Sequence, residues 1–154
     1  MNSLYFEDFE AGQIFESAAR TVTETDLTMF SMLSGDWNPI HADAEYARAT
    51  RFGERVVHGA LGIAMATGMM HQLGIFEESV VAMTDLQEWK FVAPILVGQT
   101  LRLRLEILGK EEGSSKRTGK LLRRLTILNQ AGDVIQDGKS GALVLKQNRP
   151  GAAA

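Results

Sequence analysis

No cysteine occurs in the 154 residues, which excludes disulfides and thiolate chemistry and leaves the redox compartment unmarked. Positive charge is not in excess either. With 16 Lys and Arg against 19 Asp and Glu, the net charge is −3, so no general attraction to a nucleic-acid backbone is expected. Long apolar runs are missing. The longest apolar-rich stretch, Ala60 to Met70, contains Gly62 and Gly68 and falls well short of the ~20 residues that span a bilayer. The segment MNSLYFEDFEAG is acidic with no basic flank, unlike a secretory signal. A cytoplasmic protein with neither membrane nor nucleic-acid partner is therefore the expectation.

Familiar catalytic motifs are absent as well. No G-x-S-x-G elbow, P-loop or G-x-G-x-x-G opens a helix, so serine hydrolase, nucleotide triphosphatase and dinucleotide-binding readings have no support. His41, His58 and His71 are spread along the chain without an H-E-x-x-H pattern, and no metal site is expected.

What is present is ordinary globular material: 45% hydrophobic and 23% charged residues, enough for one domain with a real core. We assign that domain to residues 1–147 and expect the tail NRPGAAA, Asn148 to Ala154, to be disordered. Gln13 to Thr23 reads as a strand leading into a helix, with Thr23 and Asp26 placed as its cap and Gly35 as its stop. Asn38-Pro39 cannot continue that helix, and Asp43 looks like the cap of a short helix over Ala44 to Ala49. Ala60 to Met70 is apolar on almost every face, so this helix should be surrounded by other structure. Strands follow: Ser79 to Val92, Thr100 to Leu108, Lys120 to Leu128 and Val134 to Leu145. In TLRLRLEIL, Leu101, Leu103, Leu105 and Ile107 alternate with Arg102, Arg104 and Glu106. One apolar helix followed by a mostly antiparallel sheet predicts an α+β domain with the sheet curled around the helix.

The chemistry concentrates in SGDWNPIH, Ser34 to His41. Asx residues and Asn-Pro favour turns, so the stretch reads either as a bend or as a loop aiming Asp36, Asn38 and His41 into one pocket. In the second case carboxylate and imidazole could hold a water between them, with Asn38 orienting its neighbours. His58-Gly59 opens the apolar helix. Gly59 serves either a close chain approach or an anion-friendly cluster of free backbone N–H groups. Lys116, Arg117, Lys120, Arg123 and Arg124 read as a solvated hairpin rather than a phosphate receptor. Met65, Met69 and Met70 read as core filling, though Met also suits a pocket for a flexible acyl chain.

FSMLSGDWNPIHADAEYA resembles the signature of the MaoC-like hydratases, the (R)-specific enoyl-CoA hydratases of the hot-dog fold: an aromatic, then small-Gly-Asp-x-Asn-Pro-aliphatic-His, then Asp and an aromatic-Ala pair. RFGERVVHGALG and KFVAPILVGQTL are similar to that family's helix entry and following strand, so the resemblance runs from about Phe6 to Leu145. It implies a long central helix wrapped by a curved antiparallel sheet, and a homodimer. It also implies a catalytic pair Asp36 and His41 supported by Asn38, and a thioester carbonyl held by Gly59 N–H; His58, Ser34 and Met65 are expected as further substrate contacts. The implied reaction is reversible hydration of trans-2-enoyl-CoA to the (R)-3-hydroxyacyl thioester without a cofactor. Dehydration of an acyl-carrier-protein thioester, or of a branched or carboxylated CoA ester, is the alternative; a non-catalytic acyl-thioester-binding protein is the second.

Overall fold

The computed structural model describes residues 3–147, so the expected disordered tail lies outside the described residues. A single 3-10 turn, Phe6–Asp8, precedes β1 (Ile14–Glu16) and β2 (Arg20–Thr21). The expected continuous strand over Gln13 to Thr23 is thus two short ones, both on the strand β6 (Thr100–Glu111). Ser17 explains the break: its Oγ accepts the Leu103 N–H at 2.9 Å, a donor that a regular ladder would give to a carbonyl.

Helix α1 (Glu24–Ser34) begins with a reciprocal cap. Thr23 Oγ1 accepts Asp26 N–H at 3.2 Å and Asp26 Oδ2 accepts Thr23 N–H at 2.8 Å. The helix ends at Gly35, whose φ of 75° is the left-handed conformation glycine adopts freely. Pro39 then starts a second helix, α2 (Pro39–Ala42), capped by Asn38, and α3 (Ala44–Arg48) starts on the Asp43 carboxylate. A proline lacks an N–H to donate, so the first helical position suits it.

Strand β3 (Val56–Val57) pairs with β5 (Ile95–Leu96) and leads into α4 (Gly59–His71). The remaining long strands are β4 (Val80–Phe91), β7 (Thr118–Leu128) and β8 (Val134–Leu145). The main sheet is antiparallel in the order β1-β6-β7-β8-β4. Leu101, Leu103, Leu105 and Ile107 are each 0% exposed, which bears out the alternation in β6. They share the core with Leu61, Met65, Ala66 and Met69 of α4; each such large side chain contributes about 1.5–3 kcal/mol relative to exposure.

Two expectations are corrected. The helix α4 is covered on one side only: Ala60, Ala64, Thr67, Gly68 and His71 remain exposed, as do Val80, Val81, Met83, Leu86 and Phe91 of the edge strand β4. Its apolar character is therefore not used up within one chain. Arg123 is not part of a solvated hairpin. Lys116, Arg117 and Arg124 are exposed, but Arg123 faces inward between Leu121 and Leu125 and is 2% exposed, because strand alternation carries every second residue to the core. Among the described residues no helix is long and apolar enough to cross a membrane.

Candidate active site

The turn after α1 brings carboxylate and imidazole together. Asp36 Oδ1 accepts Asn38 N–H at 3.1 Å, and Asn38 Oδ1 accepts Ile40 N–H at 3.2 Å. These two Asx contacts set the bend that starts α2 and places His41 one turn on. There His41 Nδ1–H donates to the Val56 carbonyl at 2.6 Å, since a carbonyl can only accept. That bond fixes the tautomer: in the neutral ring Nε2 carries the lone pair, and it lies 3.8 Å from Asp36 Oδ2. Two acceptors at that spacing can each take one hydrogen from a single water. The Asp36 carboxylate is half exposed and the His41 ring largely covered, so solvent reaches the pair from the Asp36 side.

His58 lies behind this pair rather than in front of it. It is buried, its ring stacks on His41 with centroids 3.8 Å apart, and its Nε2–H donates to the Asp36 carbonyl at 3.0 Å. The Phe30 ring lies tilted against the His58 ring, with centroids 5.1 Å apart. His58 thereby ties the Asp36 backbone to the start of α4; its buried Nδ1 has no partner among the described residues.

A cleft of about 460 Å³ opens beside His41 and is bounded by Gly59, Phe91, Val92, Pro94 and Gln136, with Arg51 at its edge. Gly59 begins α4, and the N–H groups of a helix's first turn have no intrahelical acceptor. A side chain at Gly59 would meet Phe91, since a Cβ there would lie 2.6 Å from Phe91 Cε1. Gln136 ties this helix end to the sheet: its Nε2 donates to Gly59 O at 3.0 Å and its Oε1 accepts from Trp89 Nε1 at 3.1 Å.

Asp36, His41, His58 and Gly59 therefore converge, with Asn38 shaping the loop. Ser34 belongs to the loop: its Oγ donates to Phe30 O at 2.7 Å and accepts Asp36 N–H at 3.2 Å. Met65 is packed in the core at 2% exposure, away from the cleft. Gln136, Phe91 and Arg51 were not singled out by sequence. Gln136 sits in a strand without clean alternation, which hid its inward direction. Oxygen and nitrogen atoms of Asp36, His41 and His58 lie within 4.8 Å of one another, a cluster that histidine spacing did not show. To face a cation through Nε2, His58 would have to give up the proton there and its bond to the Asp36 carbonyl.

A family model for the MaoC-like domain matches residues 8–126. The chain belongs to the MaoC-like family. This MaoC-like chain is 31% identical over 140 residues to the (R)-specific enoyl-CoA hydratase of Rhodospirillum rubrum, covering 91% of each. It is 37% identical over 101 residues to Protein MaoC of Klebsiella aerogenes, 66% of this chain but only 30% of that longer protein. A Mycobacterium tuberculosis protein with a double hot-dog fold superposes with a TM-score of 0.83 at 22% identity, over 97% of this chain and 47% of that one. The apolar helix and its curved sheet are thus the hot-dog fold, an α+β architecture as the sequence led one to expect.

Proposed function

We propose that this MaoC-like chain is an (R)-specific enoyl-CoA hydratase, interconverting trans-2-enoyl-CoA and (R)-3-hydroxyacyl-CoA. The observation that carries the reading is the pair of acceptors, Asp36 Oδ2 and His41 Nε2, 3.8 Å apart beside the Gly59 cleft. The name of the Rhodospirillum rubrum relative, an (R)-specific enoyl-CoA hydratase, supports the substrate class and the handedness.

In this mechanism the thioester carbonyl accepts hydrogen bonds at the start of α4, which makes C3 electrophilic and stabilises the enolate-like intermediate. A water donates to both Asp36 and His41. One of them removes a proton as the water oxygen bonds to C3; a proton then passes from the pair to C2, and the pair ends as it began. His58 and Asn38 are positioning residues. No metal has a step, because the thioester itself activates the alkene and His58 Nε2 is occupied by the Asp36 carbonyl. Arg51 at the cleft edge suits a phosphate-bearing carrier, as both CoA and acyl carrier protein provide.

A homodimer belongs to this proposal. The exposed small-residue side of α4 and the apolar edge strand β4 form one uncovered region, and edge strands are stabilised by pairing. Sedimentation should give twice the chain mass. The function is tested with crotonyl-CoA by loss of enoyl absorbance and chiral analysis of the product. (R)-3-hydroxybutyryl-CoA supports the reading. Faster turnover of the carrier-protein thioester favours that alternative, release of free thiol indicates a thioesterase, and binding without turnover indicates an acyl-thioester sensor.

A further inference from the structure

Asp36 and His41 hang from the same short stretch of chain. His41 Nδ1–H donates to the Val56 carbonyl at 2.6 Å. Two residues further on, the His58 ring donates from Nε2 to the Asp36 carbonyl at 3.0 Å. Gly59 follows directly and starts α4. Both members of the pair and the helix start beside the cleft are therefore referred to residues 56–59.

The two anchors differ in kind. Val56 offers a main-chain carbonyl, which any residue at that position would supply. His58 acts through its side chain, so a single substitution can remove that anchor. Asp36 has no substitute for it among the described residues. Its other hydrogen bonds stay inside the loop: its N–H donates to Ser34 Oγ at 3.2 Å and its Oδ1 accepts Asn38 N–H at 3.1 Å. Such local bonds shape a bend without fixing where the bend sits relative to α4.

The imidazole at this position carries a cost. It is 3% exposed, and its Nδ1, an acceptor in this tautomer, is buried without a partner among the described residues. An unpaired buried acceptor opposes folding, and a phenyl ring would have none. Contact with the Phe30 and His41 rings accounts for an aromatic here; only the Nε2–H accounts for an imidazole. Because His58 and the Asp36 loop belong to one chain and the ring is buried there, the tie is present whatever the assembly.

We propose that His58 is the positioning residue that registers the Asp36 carboxylate against the Gly59 end of α4, so that the water held by Asp36 and His41 meets C3 of a thioester bound there. The alignment with C3 rests on the hydratase reading, whereas the tie between His58 and the Asp36 loop does not. What His58 supplies is one donor at one place. A glutamine amide reaches about as far as the imidazole Nε2, an asparagine amide only as far as Nδ1, and phenylalanine keeps a ring without a donor.

The test compares His58→Gln, His58→Asn and His58→Phe with the wild type by thermal melts, steady-state hydration of crotonyl-CoA and amide NMR. The Trp37 amide nitrogen shares a peptide unit with the Asp36 carbonyl, so its signal reports the tie. Among folded variants, His58→Asn and His58→Phe should lower kcat by about tenfold to a hundredfold, the scale of an ångström-level misplacement, with KM little changed. His58→Gln should recover most of that loss. The Trp37 signal should move in the first two variants and return toward its wild-type position in His58→Gln, which has no ring. Ring-nitrogen NMR of the wild type, well above the ordinary histidine pKa of about 6.5, should find the His58 proton on Nε2. A proton on Nδ1, or a Trp37 signal unmoved in His58→Phe, would overturn the proposal. So would a kcat that follows the melting temperature across the variants, or that falls equally in His58→Gln and His58→Asn, since His58 would then act by packing alone. If the wild type hydrates no enoyl ester, the hydratase reading fails, and the two NMR measurements decide the tie by themselves.

Discussion

Replacing Gln136 with leucine tests the coupling between sheet and helix start. Gln136 is 0% exposed and spans from Gly59 O to Trp89 Nε1. Leucine keeps similar bulk but removes both hydrogen bonds. Each contributes about 1 kcal/mol net, and leaving the Trp89 N–H unpaired in a partly buried place adds about 1–3 kcal/mol. The expected loss is roughly 3–5 kcal/mol, which lowers Tm by about 6–20 °C for a chain of this size. Because the released carbonyl belongs to Gly59, the helix start should also shift, and kcat should fall more than KM rises. Calorimetric melts and steady-state hydration of crotonyl-CoA read the two effects. Adding Trp89→Phe removes the orphaned donor, so the double mutant should be less destabilised than the sum of the singles. A Gln136→Leu variant melting within about 2 °C of wild type with unaltered kcat would refute the reasoning.

Two glycines of α4 should respond oppositely to alanine. At Gly62 a Cβ would lie 2.4 Å from Gln136 Nε2, which is pinned, whereas at Gly68 nothing lies within 4 Å; Gly62→Ala should cost about 1–3 kcal/mol and Gly68→Ala should gain about 0.5–1 kcal/mol, both read by urea unfolding of matched samples. Arg124 donates two bonds of 2.9 Å to Asp137 and, with Thr126, holds that carboxyl below the ordinary aspartate value. Its contribution is present above the unfolded-state pKa of about 3.9 and is lost as pH falls through the lower folded value, so Asp137→Asn should be less stable than wild type at neutral pH and converge with it in acid melts. Chelator dialysis should leave hydration unaffected, while added Zn²⁺ should inhibit by competing for Asp36 and His41; loss of activity on chelation, restored by a metal, would contradict the metal-free mechanism.

Much of the fold could be read from local pattern. The β6 alternation, the Thr23–Asp26 cap and the Gly35 stop each arise from contacts within a few residues, and each stands where the sequence put it. The site loop was legible for the same reason: Asp36 and Asn38 bend their own backbone. What depended on distant neighbours was not legible. Ser17 broke β1 from β2 by reaching Leu103, and Gln136 and Arg123 turned inward on strands whose partners decide the direction. His58 stacking on His41 spans 17 residues of sequence and required the α4 start to fold beneath the loop.

The most direct measurement is single-turnover hydration of crotonyl-CoA by wild type, Asp36→Asn and His41→Ala, with thermal melts showing that all three are folded. Each substitution should slow the chemical step at least ~100-fold while substrate still binds. A rate within a fewfold of wild type in either variant would contradict a water shared between Asp36 and His41.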